Sequence, residues 1–401
     1  MNRRVALSAL LKGGVAAALL PVRGHAGQTF LQGDIAGEGK DDPAYLYYNC
    51  KHWLTGHIRS AMLPHHVFRE LATYTDKSIQ PDAYGNGKLI ADFEKQIAEL
   101  LGKEAAVFMP GGTMCQPLAM RIWAERKNCG NIAFHPTCHL EIHEYKAYEF
   151  LHGLKGITAG SRDKVITLQD VKNIAEPLAV LLLELPQREI GGQLPSWDEL
   201  KAISEWARSR KIAVHLDGAR LWECQPYYKK SYKEICSLFD TVYVSTYKGV
   251  GGITGAVLTG PASFIKEAKV WQRRQGGNLY QMYPYILSAQ KGLSERLPKM
   301  EAYYRKALEV AAVFKEFSQM RLVPDIPVSN MFHCYIEGDK AKINKSVLSI
   351  AQEQQVWSFA PMQPTLFPQV FKFEFYAGDA TLGMSNQLIR RVTDSFFRKM
   401  Y

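Results

Sequence analysis

The chain has 401 residues, of which 47% are hydrophobic and 22% are charged, which excludes a disordered or fibrous protein and is typical of a folded globular one. This length allows a large domain and a smaller one. The formal net charge is +10, but the basic residues are scattered, so we expect no nucleic-acid partner and instead an attraction to anionic ligands.

Residues 1–27 carry the features of an export signal. Arg3 and Arg4 precede a moderately apolar stretch, and Gly24-His25-Ala26 resembles a cleavage site. The paired arginines indicate the twin-arginine route, with an ordinary secretory signal or a disordered basic tail as alternatives. We expect a periplasmic protein with no membrane contact after signal removal, or a cytoplasmic protein if this segment is not a functional signal.

The segment 28–80 is predicted to be irregular, and residues 35–60 resemble an insertion. We expect its aromatic cluster to pack a lid or a subunit contact rather than to take part in chemistry. The cluster consists of Tyr45, Tyr47, Tyr48, His52, Trp53 and His57.

Residues 89–126 predict a helix, a strand and a second helix. The first helix covers 89–101 and stops at Gly102, and Ala105–Met109 form the strand. PGGT at 110–113 lies between this strand and the second helix, where free backbone N–H groups and the helix dipole favour a phosphate. Gly112 and Thr113 are the candidate phosphate contacts, and we expect Pro117 in the first helical turn.

The spacing of the histidines and cysteines along the chain predicts no metal site. His135, His139 and His143 follow a short strand at 132–134, but Pro136 argues against a shared helical face. The seven cysteines form no C-x-x-C pair and have no zinc-like spacing with histidines. Their odd, dispersed set also argues against a disulfide framework, although one pair could close in an oxidising compartment.

The stretch from 178 to 260 predicts four buried strands, at 178–185, 212–216, 241–246 and 255–258, with a helix at 197–210. The second strand leads into Asp217. The third leads into Lys248, which is followed by glycines at 249, 251 and 252. Both side chains would therefore lie just beyond strand ends, where open α/β sheets bind ligands.

An aspartate and a lysine in this setting suit pyridoxal phosphate (PLP). PLP forms a Schiff base with a lysine amine, and a carboxylate keeps its pyridine nitrogen protonated, which makes the ring an electron sink. Lys248 would form the Schiff base and later move a proton, and Asp217 would hold the ring proton. Taken alone, one Asp and one Lys favour the ordinary roles, in which Asp217 caps a helix and Lys248 is a surface lysine in a turn, and only the longer sequence context reverses this.

The rest of the chain predicts a helix at 264–274, a long helical segment at 285–317 and a small α+β domain. In that domain the strand MFHCYIEG, a helix at 340–355, the strand FKFEFYAGD and a helix at 385–399 follow one another.

These motifs together resemble the threonine aldolase and β-eliminating lyase family of fold-type I PLP enzymes. The resemblance spans residues 82–282 and rests on HLDGAR at 215–220 with the K-G-x-G turn of Lys248, YG at 84–85, GKEAAVFMPGGT at 102–113, the spacing of His139 and Glu144, LLLELP at 181–186 and WQRRQGG at 271–277.

The resemblance implies an aspartate aminotransferase-like α/β fold, with a mostly parallel seven-stranded sheet in a large domain and a small C-terminal α+β domain. We accordingly divide the chain into a signal (1–27), a PLP-binding domain with an N-terminal arm (28–290), and a linking helix with the small domain (291–401). The family also implies a homodimer or homotetramer, in which Tyr84 and Tyr280 reach a neighbouring subunit. Tyr280 occupies the position of a family arginine.

Roles for single residues follow from the same resemblance. His139 matches the histidine that stacks over the PLP ring near the substrate's β-oxygen. It joins Gly112, Thr113, Asp217 and Lys248 as a cofactor contact, and it is a catalytic candidate with Asp217 and Lys248. Arg220 matches an arginine that faces the substrate carboxylate, with a structural ion pair as the alternative.

Several positions depart from the family pattern. Gly33 replaces a substrate-binding serine, and Lys372, with Glu374 on the same strand face, replaces a second carboxylate-binding arginine. A family histidine that touches the substrate hydroxyl lies in an N-T-H run, where this chain has Leu-Pro-Gln-Arg at 185–188. Gln187 and Arg188 are therefore candidate substrate contacts, the latter for a different anionic group.

The predicted function is PLP-dependent cleavage of the Cα–Cβ bond of a β-hydroxy-α-amino acid to glycine and an aldehyde. The departures at 33, 187 and 372 favour, over plain threonine cleavage, another PLP reaction on an amino acid, namely β-elimination, transamination or racemisation. A non-catalytic binding protein on the same fold is the remaining alternative.

Overall fold

The computed structural model describes residues 42–54 and 63–401. The predicted export signal, Gly33 and His57 lie outside these residues. Within the described part of the chain, no helix combines the length and the apolar character that crossing a bilayer requires.

The helices of the described residues are α1 (Pro43–Asn49), α2 (Pro64–Tyr74), α3 (Lys88–Leu101), α4 (Gly112–Lys127), α5 (His139–Ile142), α6 (Ala147–Phe150), α7 (Leu168–Lys172), α8 (Trp197–Ser209), α9 (Gln225–Tyr228), α10 (Tyr232–Cys236), α11 (Ala262–Arg274), α12 (Tyr283–Arg296), α13 (Met300–Phe314), α14 (Lys340–Gln354), α15 (Asp379–Leu382) and α16 (Asn386–Met400). Short 3₁₀ turns cover Arg188–Ile190, Leu221–Glu223 and Leu297–Lys299.

The strands are β1 (His52–Trp53), β2 (Ala105–Met109), β3 (Asn131–Phe134), β4 (Lys155–Thr158), β5 (Val180–Glu184), β6 (Ala213–Gly218), β7 (Thr241–Ser245), β8 (Ala256–Gly260), β9 (Met320–Val323), β10 (Met331–Glu337), β11 (Val356–Trp357), β12 (Gln363–Pro364) and β13 (Val370–Tyr376).

A seven-stranded sheet in the order β2-β8-β7-β6-β5-β3-β4 forms the centre of the fold. Strand β8 runs antiparallel to both neighbours, and the other pairs are parallel, which confirms the predicted mostly parallel sheet. Alternate residues of β5 pack on opposite faces, since Val180 and Leu182 join one apolar cluster and Leu181 and Leu183 join the other. Burial on both faces explains why these strands read as continuous apolar runs.

The parallel strands end at one edge of this sheet, and that edge positions the site. The pairing of β5 with β6 sets Glu184 beside Asp217. Strand β7, which pairs with β6, ends at Ser245 and leads into the turn that carries Lys248. Residues distant in sequence therefore meet where open α/β sheets bind ligands.

A second, antiparallel sheet in the order β12-β13-β10-β9 forms with α14 and α16 the C-terminal unit, residues 320–401. This is the strand–helix–strand–helix order expected from the sequence. The single long helix expected at 285–317 is wrong, because α12 ends at Arg296, a 3₁₀ turn follows, and α13 begins at Met300. Pro298 lies in that turn, and a proline cannot supply the N–H that a continuous helix needs.

The expectation of an irregular segment at 28–80 is also wrong for its described part, which contains α1 and α2. Each helix starts at a proline, a residue favoured at the first helical position, and Asp42 caps α1. Tyr47 of the aromatic cluster contacts Trp357 with ring centroids 5.3 Å apart, and β1 pairs with β11. This part of the cluster therefore packs on the C-terminal unit of its own chain.

Candidate active site

The glycine turn at 110–113 leads directly into α4, whose N-terminus has no side-chain cap. Gly111 precedes α4 without a side-chain cap, so the first N–H groups of the helix have no capping partner in it. A side chain at Gly112 could not fit, because its Cβ would lie 2.1 Å from the Tyr243 hydroxyl. Thr113 is exposed at the same helix end. The arrangement suits a phosphate.

Pro117 lies in the second turn of α4, not in the first as expected, because the helix already begins at Gly112. The proline has no N–H to donate to the Thr113 carbonyl one turn earlier. The Thr113 carbonyl therefore receives no hydrogen bond from residue 117.

Asp217 is buried, with 1% of its surface exposed, and both carboxylate oxygens are held. Gln116 donates to Oδ2 at 2.5 Å and the Ala219 amide donates to Oδ1 at 3.1 Å. Behind Gln116, burial lowers the pKa of His215 to about 3, so this imidazole stays neutral 3.3 Å from the Gln116 amide oxygen. The sequence analysis missed Gln116, whose only signal is its place one turn after Gly112 on the same helix.

Lys248 has an amine without a hydrogen bond or ion pair to any described residue. Burial, and next the charge of Arg220, lower its pKa to about 8, while Asp217 and Glu184 act in the opposite direction. A lysine with this pKa is partly neutral near pH 8, and the neutral amine is the nucleophilic form. Its position therefore suits covalent attachment of a carbonyl compound.

Arg220 is a buried cation without a direct ion pair to any described residue, although its charge acts on the buried carboxyl groups of Glu223 and Glu374. Only 5% of its surface is exposed, it makes no ion pair within the described residues, and its Nε has no hydrogen-bond partner. Burying an unpaired charge is costly, so such a guanidinium indicates a place for an anion from outside the chain. The structural ion pair considered as an alternative role is not formed.

Half-buried His139 and buried Glu144 form a dyad, in which Nδ1 and Oε1 are 2.9 Å apart. Burial, and next the charge of Lys248, lower the pKa of His139 to about 3, so the imidazole is neutral. Burial, and next the charge of Asp217, raise the pKa of Glu144 to about 8. The second ring nitrogen, Nε2, has no hydrogen-bond partner among the described residues, which leaves it available to a ligand.

Gln187 and Arg188, the candidate substrate contacts, both have protein partners. Gln187 is buried and donates to Glu184 at 3.1 Å. Arg188 donates from Nε to Glu374 of the C-terminal unit at 2.7 Å, and its Nη1 lies 3.2 Å from Glu189. Their proposed role toward the substrate stays a prediction.

The three histidines near β3 have different hydrogen-bond partners, although the ring centroids of His139 and His143 lie 5.0 Å apart. His135 bonds to the Lys164 carbonyl at 2.8 Å, His139 to Glu144 and His143 to Glu189 at 2.9 Å. No group of three histidine, cysteine or acidic side chains in residues 42–54 and 63–401 could hold a metal ion.

The pH dependence of folding tests the titration of Glu144 in the His139–Glu144 dyad. The pKa of Glu144 is about 8 in the folded protein and near 4.5 when unfolded, so the folded form binds the extra proton. Stability of the cofactor-free protein should therefore fall as pH rises from 6 to 8, and Glu144→Gln should remove about 2 kcal/mol of that fall. Urea unfolding at both pH values measures it.

Glu149→Gln is the matched control, since Glu149 is exposed five residues further along the chain. It should leave the pH dependence unchanged. The same fall in Glu144→Gln as in the wild-type protein would show that Glu144 is not the group that titrates.

The glycine turn, Asp217, the Lys248 amine and Arg220 together fit PLP and an amino acid. The helix start would hold the phosphate, Asp217 the ring nitrogen and Lys248 the carbonyl carbon, while the unpaired Arg220 remains for a substrate carboxylate. This fit rests on the uncapped start of α4, the hydrogen bonds that hold Asp217, and the absence of ion pairs to Lys248 and Arg220 within the described residues.

Comparison with known proteins leads to the same chemistry. The model of the β-eliminating lyase family matches residues 75–335. A solved structure from Listeria monocytogenes, provisionally described as an L-allo-threonine aldolase, is 42% identical, covers 90% of this chain and 99% of its own, and superposes with a TM-score of 0.83.

Two curated proteins show the range of activities among the relatives. The low-specificity L-threonine aldolase 1 of Arabidopsis thaliana is 24% identical over 65% of this chain and 75% of its own length. An alanine racemase of Cochliobolus carbonum is 26% identical over 59% of this chain and 62% of its own length.

Proposed function

The chain belongs to the β-eliminating lyase family, and from that membership we propose that it is a PLP-dependent lyase that cleaves the Cα–Cβ bond of a β-hydroxy-α-amino acid into glycine and an aldehyde. The observation that carries this proposal is the buried, unpaired guanidinium of Arg220 beside the free amine of Lys248. An α-amino acid brings the carboxylate that Arg220 lacks. Membership of an enzyme family argues against the non-catalytic alternative.

Bound PLP supplies an electron sink for the pair of electrons that leaves the broken bond. Arg220 orients the substrate by its carboxylate, and Asp217 holds a negative charge at the ring-nitrogen end of the site. Neutral His139 takes the β-hydroxyl proton on Nε2, directly or through one water, as the aldehyde C=O forms and Cα–Cβ breaks. The Lys248 amine is placed to return a proton to Cα. A positioned general base contributes about 10²–10⁴ in rate.

A second PLP reaction is the other candidate. Gln187 stands in the run where the family has a histidine that contacts the substrate hydroxyl, and here its amide is committed to Glu184 and Thr137. The relatives also include an alanine racemase. The first observation favours a substrate other than threonine itself, and the second keeps racemisation as an alternative reaction on the same scaffold.

An amino-acid panel separates these reactions. We expect the PLP-loaded protein to release aldehyde and glycine from β-hydroxy-α-amino acids, with no ammonia or keto acid from serine and no D-alanine from L-alanine. Aldehyde is measured by coupled reduction, the other products by chromatography. Without aldehyde, release of ammonia would indicate elimination, keto acid alone would indicate transamination, and D-alanine would indicate racemisation. Each of these results would overturn the aldolase assignment.

We also propose export to the periplasm and assembly into a homodimer or homotetramer. The paired arginines and apolar stretch of residues 1–27 support export, on the basis of sequence alone. An exposed aromatic pair supports the second, because Tyr84 and Tyr280 contact each other with 47% and 62% of their surfaces exposed. Exposed aromatic side chains are enriched at protein interfaces.

A further inference from the structure

One face of α12 lies directly against the turn that carries Lys248. Ser288, Gly292 and Arg296 are spaced by four residues and therefore share this face. The Ile253 amide donates to Ser288 Oγ at 3.0 Å, and Arg296 Nη1 donates to the Val250 carbonyl at 3.2 Å. Between them, a Cβ on Gly292 would lie 2.2 Å from the same carbonyl oxygen. The helix thus contacts the turn at three successive positions.

The turn has little side-chain bulk of its own to hold its shape. Gly251 has a φ of 70°, a left-handed conformation that glycine adopts without strain. A Cβ on Gly252 would lie 2.6 Å from the Thr246 carbonyl oxygen and 3.3 Å from the Ala289 Cα. Backbone hydrogen bonds from Gly251 to the Lys248 carbonyl at 3.2 Å and from Gly252 to the Thr246 carbonyl at 2.8 Å shape the turn, and α12 packs closely against it.

Arg296 in turn is held by the C-terminal unit. It is buried, and its Nε donates to Asp379 Oδ2 at 2.8 Å. Asp379, the first residue of α15, also accepts from Lys299 at 2.9 Å and from Tyr303 at 2.5 Å. Burial opposes its ionisation, but these hydrogen bonds and the Arg296 charge outweigh burial and lower its pKa. A charged carboxylate thus fixes the guanidinium that contacts the turn.

We propose that Arg296 is a positioning residue for Lys248, and that Asp379 of the C-terminal unit holds Arg296 in this role. The Val250 carbonyl lies two residues after Lys248, so a shift of this carbonyl moves the lysine backbone. Misplacing a reacting group by about 1 Å can cost about 10²-fold in rate. The inference rests on the proposed function only in treating Lys248 as the reactive amine.

Amide hydrogen exchange of residues 249–253 in the cofactor-free protein measures the turn directly. Arg296→Lys keeps a buried positive charge. A lysine amine lacks the planar guanidinium group that lets Arg296 donate to the Asp379 carboxylate and to the Val250 carbonyl at the same time. We expect its turn amides to exchange at least about tenfold faster, and kcat of the PLP-loaded protein to fall about 10²-fold with KM changed less than about threefold. Asp379→Asn should raise exchange in the same amides by a smaller factor.

Lys299→Ala is the matched control, because Lys299 also pairs with Asp379 but makes no contact with the turn. It should leave turn exchange and kcat within about twofold. Wild-type turn exchange in Arg296→Lys would overturn the proposal, and so would equal exchange in Arg296→Lys and Lys299→Ala. Because exchange is measured without cofactor or substrate, a failed amino-acid panel would overturn the proposed function and leave this result standing.

Discussion

Replacing Lys248 by alanine is expected to abolish turnover, with a loss of about 10⁴-fold or more, and to remove the visible absorbance of bound PLP. The amine of Lys248 has no partner among the described residues, and its pKa is lowered to about 8, so it is free to react with the cofactor carbonyl. The substitution removes that amine and the group that returns a proton to Cα. An absorbance spectrum of the purified protein and an aldehyde assay measure both effects.

Lys266→Ala is the control, since Lys266 is an exposed lysine on α11 and should affect neither quantity. The assignment of Lys248 fails if Lys248→Ala keeps both the absorbance and the turnover. Loss of turnover with retained absorbance would separate its role in proton transfer from its role in attachment.

Asp217→Asn is expected to lower kcat by about 10²–10³-fold, with a smaller effect on KM. Asparagine keeps the size of the side chain, and its oxygen can still accept from Gln116 or Ala219, but it carries no negative charge. Without that charge the pyridine nitrogen loses its proton, and the ring becomes a weaker electron sink. Steady-state kinetics on the best substrate of the panel measure the loss.

Asp240→Asn provides the comparison, because Asp240 accepts from the Val214 amide at 2.7 Å at the opposite end of the same strand. It should leave kcat unchanged within about threefold, with any effect confined to stability. Equal losses in the two variants would mean that Asp217 acts on the fold and not on the cofactor.

Three sequence-based predictions failed where a local signal was misread. The pattern of apolar residues at 285–317 continues through Pro298, but the backbone does not, because the missing N–H ends α12. Pro117 was assigned to a first turn on the assumption that α4 begins later than Gly112. Prolines at the starts of α1 and α2 gave a correct signal that the polar, aromatic composition of this region obscured.

The sequence by itself determined most strands of the central sheet, the glycine turn and the placement of Asp217 and Lys248 at the ends of neighbouring strands. Each of these depends on local features: continuous apolar runs for strands buried on both faces, glycines before a helix, and polar residues directly after strands. Such features are complete within a short stretch of chain, so no knowledge of distant contacts is needed to recognise them.

Only the tertiary structure decided which charges are neutralised and which are left free. Gln116 meets Asp217 across 101 residues and Arg188 meets Glu374 across 186, whereas Arg220 meets no anion in the described chain. The pKa values of Lys248, His139 and Glu144 likewise depend on burial and on neighbours brought in by other strands and helices. Desolvation and charge pairing act through space, and sequence patterns record only the order along the chain.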